Sequence, residues 1–104
     1  MCNATTVGTA RGEVVTENER VRITRWWFDG KGDNTGWHRH AHDYVVVPLF
    51  DGELHVDLPG GERTVAAVAN GVPYFRKLGI EHDVINGNDF ACAFVEIELL
   101  DTEG

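Results

Sequence analysis

The sequence has no long apolar run: no stretch of its 104 residues approaches the ~20 consecutive apolar residues of a membrane-spanning helix. Basic residues are also few, with 9 Lys and Arg against 17 Asp and Glu, so the formal net charge is −8. An acidic chain repels nucleic-acid phosphates and anionic lipid headgroups, so we expect neither nucleic acid nor a membrane surface as a partner. Residues 1–15 lack the basic start and apolar stretch of a secretory signal, which predicts a cytoplasmic protein.

Cysteine is scarce as well, with only Cys2 and Cys92 in the chain. Neither belongs to a CxxC pair, which argues against a thiol redox site or a cysteine-bound zinc. A disulfide between the two is one alternative. The other, which we favour, is a free thiol near the N-terminus and a small buried hydrophobe within the apolar run 90–97.

Glycine is abundant, at 12 residues, and 42% of the residues are apolar, which is enough for a packed core. Glycine at this density separates short elements, and no amphipathic helix of three turns is found. Segments that are rich in β-branched and aromatic residues, or that alternate polar and apolar residues, predict nine short strands. The predicted strands are residues 13–16, 20–28, 37–40, 44–50, 53–58, 63–68, 74–77, 82–86 and 90–100.

Turn signals separate these strands, and the last turn signal, at residues 87–89, predicts a hairpin. They lie at residues 29–36, 51–52, 59–62, 70–71 and 87–89. Pro48 interrupts an apolar strand, which indicates a sheet edge or a bulge. Many short strands joined by tight turns predict an all-β antiparallel sandwich or barrel. We expect one domain over residues 1–104, with its core at about 12–100.

Three of the five histidines fall within the five residues 38–42, HRHAH. Residues two apart on a strand point to the same face, so His38 and His40 project together while Arg39 faces the other way. Two imidazoles in this arrangement commonly coordinate one divalent metal.

This histidine pair is part of a longer pattern. The chain resembles the cupins, small double-stranded β-helix (jelly-roll) barrels whose first motif contains G-x5-H-x-H and a later glycine. Their second motif contains a glycine, a proline, a second glycine, a histidine and an asparagine at set spacings. The residues that match the first motif are Gly32, His38, His40 and Gly52. Those that match the second are Gly71, Gly79, His82 and Asn86, with Lys77 where the motif has proline.

The resemblance implies that His38, His40 and His82 bind a divalent metal ion, whether Fe, Mn, Ni or Zn. Cupins usually add a glutamate ligand from the first motif, but that position falls at Tyr44 or Val45 here. The fourth position is open to Asp43, Tyr44, His42 or water. We favour water or substrate, with Tyr44 beside it as a catalytic proton donor or orienting group.

Two kinds of function follow from this resemblance. A three-histidine site resembles that of the thiol dioxygenases in the cupin superfamily and implies a metal-dependent dioxygenase, or a related enzyme, that acts on a small acid. The alternative is a non-catalytic cupin that binds or senses a small molecule. A structural zinc site and a metal-free barrel mouth filled by histidines are weaker hypotheses. The run 37–54 also resembles very short cupins, some of which are labelled as associated with β-alanine degradation.

Adjacent Trp26 and Trp27 must face opposite sides of their strand. We therefore expect one in the core and the other on the surface, where it fits a homodimer interface.

The candidate anchors for the carboxylate of a substrate are Arg25, Tyr74 and Arg76.

The last predicted strand places Glu96 and Glu98 on one face and Val95, Ile97 and Leu99 on the other. We expect the glutamates to point outward into solvent. If they pointed inward, they would be candidate acids or bases.

Overall fold

A computed structural model describes residues 3–4 and 8–100. Its strands are β1 (Asn3–Ala4), β2 (Arg11–Glu17), β3 (Val21–Phe28), β4 (His38–Arg39), β5 (Tyr44–Pro48), β6 (Gly52–Asp57), β7 (Arg63–Val68), β8 (Tyr74–Arg76), β9 (Glu81–Asn86) and β10 (Cys92–Leu99). A short 3-10 turn lies at Pro59–Gly61. All nine predicted strands are confirmed, and the two-residue β1 is additional. The described residues contain no helix of the length and apolarity that crossing a membrane requires.

The strands form two five-stranded sheets, in the orders β1-β4-β9-β6-β7 and β2-β3-β10-β5-β8. Every neighbouring pair is antiparallel. From β4 onward the chain crosses repeatedly between the sheets, and only β6 and β7 follow each other within one sheet. This is the double-stranded β-helix, or jelly roll, so the predicted all-β fold is confirmed.

The predicted hairpin at 87–89 is wrong, because β9 pairs with β4 and β6 while β10 pairs with β3 and β5. The turn carries the chain from one sheet to the other. The Asn88 side chain holds it there, since its Oδ1 accepts the Glu53 N–H at 2.9 Å and its amide donates to the Glu53 carbonyl at 2.9 Å. A turn signal in the sequence indicates that the chain reverses direction. It does not indicate which strand the next segment pairs with.

The edge or bulge expected at Pro48 is also absent, because β5 lies between β10 and β8. Proline lacks an N–H and is poorly tolerated where a ladder bond is needed. The β8 ladder ends at the pair of Val46 with Tyr74, before it reaches the proline. The Pro48 carbonyl instead accepts the Gly71 N–H at 2.8 Å. The missing N–H of Pro48 therefore removes no hydrogen bond between β5 and β8.

The burial of β10 alternates along its whole length, with Cys92, Phe94, Glu96 and Glu98 buried. The expectation of solvated glutamates is therefore wrong: Glu96 is 4% exposed and Glu98 is 1% exposed. Arg22 on the neighbouring strand β3 places a positive charge beside Glu98, since its Nη1 lies 3.4 Å from Glu98 Oε1. Strand alternation shows which residues share a face, but it does not show which face meets the other sheet.

Cys92 is buried and free of a disulfide, as expected for a small core residue. Burial raises the pKa of its thiol to about 11, although the Asn88 amide partly opposes that shift. A thiol with such a pKa stays protonated and unreactive at neutral pH. Cys2 lies outside the described residues.

Candidate metal centre

The three predicted histidines come together on the inner side of one sheet. Strand β4 is antiparallel to β9, with His38 directly opposite His82. His40 follows β4, and its backbone is held by two hydrogen bonds: its N–H donates to the Ile80 carbonyl at 2.9 Å, and its carbonyl accepts the Gly79 N–H at 2.7 Å. Gly79 has a φ of 91°, which a side-chain-bearing residue rarely adopts. This turn therefore aligns the two histidine segments.

Their ring nitrogens converge on one point. The Nε2 atoms of His38 and His40 are 3.0 Å apart, and those of His40 and His82 are 3.1 Å apart. All three side chains are buried, and their ligand atoms lie within 4.8 Å of one another. Among the residues that the structure describes, this is the one such group of histidine, cysteine or acidic side chains.

The orientation of His38 is set by the loop in front of β4. Its Nδ1 lies 2.7 Å from the Gly36 carbonyl, so Nδ1 carries the proton and donates it there. The Nε2 lone pair then points toward the other two histidines. Asp83 holds the loop in place, since its two carboxylate oxygens accept the Gly36 N–H at 3.0 Å and the Asn34 amide at 2.8 Å. Sequence reasoning did not single out Gly36 or Asp83, because Asp83 is on the opposite face of β9 from His82.

The electrostatics of the cluster favour neutral imidazoles. Burial is the main cause that lowers the pKa of all three histidines. The pKa of His40 falls to about 2, with the neighbouring His38 and His82 adding to the effect of burial. The pKa of His82 falls to about 3, and here His38 and then Arg76 add to burial. All three rings are therefore neutral at physiological pH, which is the form that binds metals.

This arrangement fits a metal ion. Two nitrogen ligands about 2.1 Å from a common metal and at right angles to each other lie about 3.0 Å apart. The observed separations of 3.0 and 3.1 Å are close to that value. A divalent cation at the point where the three Nε2 atoms converge would be a shared partner for all three buried imidazoles.

Tyr44 lies directly against this cluster. Its ring stacks on His40, with the centroids 3.8 Å apart and the planes 16° from parallel, and it is 2% exposed. Asp43 does not join the group, because its Oδ1 accepts the Leu78 N–H at 2.9 Å. His42 is half-buried and does not line the cavity described below.

The histidines lie at one wall of a cavity of about 250 Å³ between the two sheets. Most of the remaining wall is apolar, including Leu54, Val56 and Phe94. The polar lining includes Tyr74, Arg76 and Glu96.

Arg25, a predicted anchor, is not among the lining residues. It pairs across the sheet with Val95 on the outer face and lies over the Trp27 ring at 5.5 Å. The two tryptophans divide as predicted: Trp26 packs against the core, whereas Trp27 lies on the outer face.

A protein of Pseudomonas aeruginosa, Beta-alanine degradation protein BauB, is 50% identical to this chain over 86 residues, which cover 83% of this chain and 88% of that protein. The crystal structure of a cupin domain from Bordetella pertussis shares 44% identity and superposes with a TM-score of 0.83. The match covers 92% of this chain and 98% of that one. The chain belongs to the cupin family.

Other solved structures share the fold at lower identity. An RmlC-like cupin from Shewanella frigidimarina is 20% identical with a TM-score of 0.65, and the match covers 99% of this chain and 86% of that one. A protein with a double-stranded β-helix domain from Klebsiella pneumoniae is 20% identical with a TM-score of 0.72, over 98% and 86% of the two chains. No protein-family model matches this cupin.

Proposed function

We propose that this cupin is a metal-dependent enzyme that acts on a small organic acid. His38, His40 and His82 would hold one divalent ion of Fe, Mn, Ni or Zn. The observation that carries the proposal is the convergence of three neutral imidazole nitrogens at the wall of a largely apolar cavity. A divalent metal held by these histidines would supply Lewis acidity toward a substrate oxygen or a bound water.

The protein residues have distinct parts in this proposal. Tyr44 keeps the His40 ring in place by stacking on it, and we assign it the role of proton donor or orienting group for the bound acid. The apolar wall excludes water, which strengthens the electrostatic interactions of the charged groups at the cavity. An all-histidine ligand set resembles that of cupin thiol dioxygenases, so a dioxygenase reaction is the specific hypothesis. The name of the BauB relative supports a small acid, because β-alanine is itself a three-carbon carboxylic acid.

Metal content tests this proposal first. Protein made without an affinity tag and purified without chelator is expected to contain close to one equivalent of a single divalent metal per chain, measured by plasma mass spectrometry. Metal-free protein reloaded with each of the four ions would then be assayed for oxygen consumption with a panel of small acids that includes β-alanine. A purified protein that neither contains nor takes up metal would overturn the proposal. Tight binding of an acid to the metal-loaded protein without turnover would support the non-catalytic alternative.

We also propose that two copies of the chain associate through the outer face of the sheet that contains β10. The alternation in β10 leaves Val95, Ile97 and Leu99 on that face, and β5 adds Val45 and Val47 in register with them. A sheet face exposed to water normally carries polar residues, so this inverted pattern favours a covered face. A two-fold dimer covers it with the same patch from the second copy.

The substitution Ile97→Lys tests this interface. We expect the wild-type protein to elute with light scattering at twice the 11.6 kDa chain mass and the variant at the chain mass. A buried lysine without a partner at the dimer centre strongly disfavours association. The control Val65→Lys, at a residue that is 59% exposed on the other sheet, should remain dimeric. If Ile97→Lys does not fold, Phe75→Asp at the edge of the same face takes its place. A wild-type monomer at micromolar concentration contradicts the proposal.

A further inference from the structure

Arg76 occupies a defined position at the edge of the cavity. It lies on β8, which is the edge strand beyond β5. The register pairs Tyr44 with Arg76 and Val46 with Tyr74. Because Tyr44 and Val46 are buried and line the cavity, Arg76 and Tyr74 face the same side. Arg76 is thus the cross-strand neighbour of the tyrosine that stacks on His40.

The guanidinium of Arg76 is held by two contacts. It lies 4.5 Å from the centroid of the Tyr74 ring, within the range of a cation–π interaction. Its Nη1 also donates a hydrogen bond to the Phe75 carbonyl at 2.9 Å. Arg76 is exposed at this edge strand, and within residues 3–4 and 8–100 no acidic side chain forms an ion pair with it.

The other arginines near the site are occupied or lie elsewhere. Arg22 pairs with Glu17 and Glu98, and Arg25 is on the outer face. Arg39 is on the opposite face of β4 from His38 and is exposed. Arg76 is therefore the one arginine, within the described part of the chain, whose side chain lines the cavity.

We infer that Arg76 binds the carboxylate of a small acid whose carbon chain lies in the apolar cavity and whose other end faces His38, His40 and His82. This inference deepens the proposed function and depends on it for the role of the histidines. A guanidinium fork fits a carboxylate better than an ammonium does, and the Tyr74 ring supports the guanidinium from one side. A cavity of about 250 Å³ is smaller than the roughly 300–1,000 Å³ of most ligand sites, so we expect the acid to be short.

Binding measurements on metal-free protein test the inference separately from the metal site. The probes are straight-chain monocarboxylates of two to eight carbons and the matching primary amides, measured by calorimetry. We expect the wild-type protein to prefer carboxylates to amides. Arg76→Gln should weaken carboxylate binding about ten- to hundredfold and leave amide binding unchanged, because one charge-assisted contact is lost. Arg76→Lys should restore part of the loss.

The control is Arg39→Gln, which removes the same charge from the outer face of β4 and should change neither affinity. The inference is overturned if the wild-type protein binds carboxylates and amides equally, if it binds no carboxylate at millimolar concentration, or if Arg76→Gln weakens both classes alike. Repeating the series on metal-loaded protein separates the two hypotheses. If carboxylate binding requires metal and is unchanged by Arg76→Gln, the role of Arg76 is overturned. The proposed function is not affected by that result.

Discussion

His40→Ala is expected to abolish stoichiometric metal binding while the barrel stays folded. His40 is the member of the cluster whose Nε2 lies within 3.1 Å of both other histidines, and it is 1% exposed. Removing residues that merely orient metal ligands commonly costs roughly 10- to 100-fold in affinity, and we expect the loss of a ligand itself to cost more than about 100-fold. The fold is expected to survive because alanine keeps the two backbone hydrogen bonds that hold this segment to Gly79 and Ile80.

The measurement is metal content after dialysis, combined with thermal unfolding with and without metal. At a free metal concentration of 100 times Kd, binding stabilises the native state by about 2.7 kcal/mol. Each kcal/mol corresponds to roughly 4–8 °C in Tm for a chain of this size. The wild-type Tm should therefore rise on metal addition and fall with chelator, whereas that of His40→Ala should not respond.

The matched control is His55→Ala. His55 is not among the residues that line the cavity, and it contacts Glu53 Oε2 at 2.9 Å. This variant should keep both the metal and the Tm response. If His40→Ala fails to fold, His40→Asn replaces it. Retention of one full equivalent of metal by either folded His40 variant would contradict the assignment of the three histidines.

Phe28→Ala is expected to lower the free energy of unfolding by roughly 3–5 kcal/mol, the usual cost of truncating a fully buried phenylalanine. Phe28 is 1% exposed, and its ring centroid lies 5.7 Å from that of Phe94 at a tilted angle. The substitution removes this aromatic pair and leaves a void in the core between the two sheets. A domain of this size has only about 5–15 kcal/mol of stability, so the loss is a large fraction of the total.

Urea unfolding in the presence of chelator measures this effect without a contribution from metal. The control Phe90→Ala makes the same chemical change at a residue that is 48% exposed, and about 1 kcal/mol is expected there. Equal losses in the two variants would contradict the assignment of the core. Both variants should bind metal when folded, since neither phenylalanine lines the cavity.

Much of the fold was predictable from sequence because strand signals are local. The β-branched and aromatic residues of 20–28 and the alternation of 53–58 mark strands wherever they occur. Two of the wrong predictions concern which strands pair, not where the strands lie. The turn at 87–89 joins two sheets, and Pro48 is tolerated in an inner strand only because the β8 ladder stops short of it.

The sequence by itself determined that His38 and His40 share a face, since alternation is a property of the extended backbone. Only the tertiary structure placed His82 opposite His38, 44 positions away in the chain, because pairing between distant strands depends on the sheet and not on local geometry. It also decided that Glu96 and Glu98 point inward and that Arg76, not Arg25, reaches the cavity. A strand's alternation defines two faces, and the packing of one sheet on the other selects the inner one.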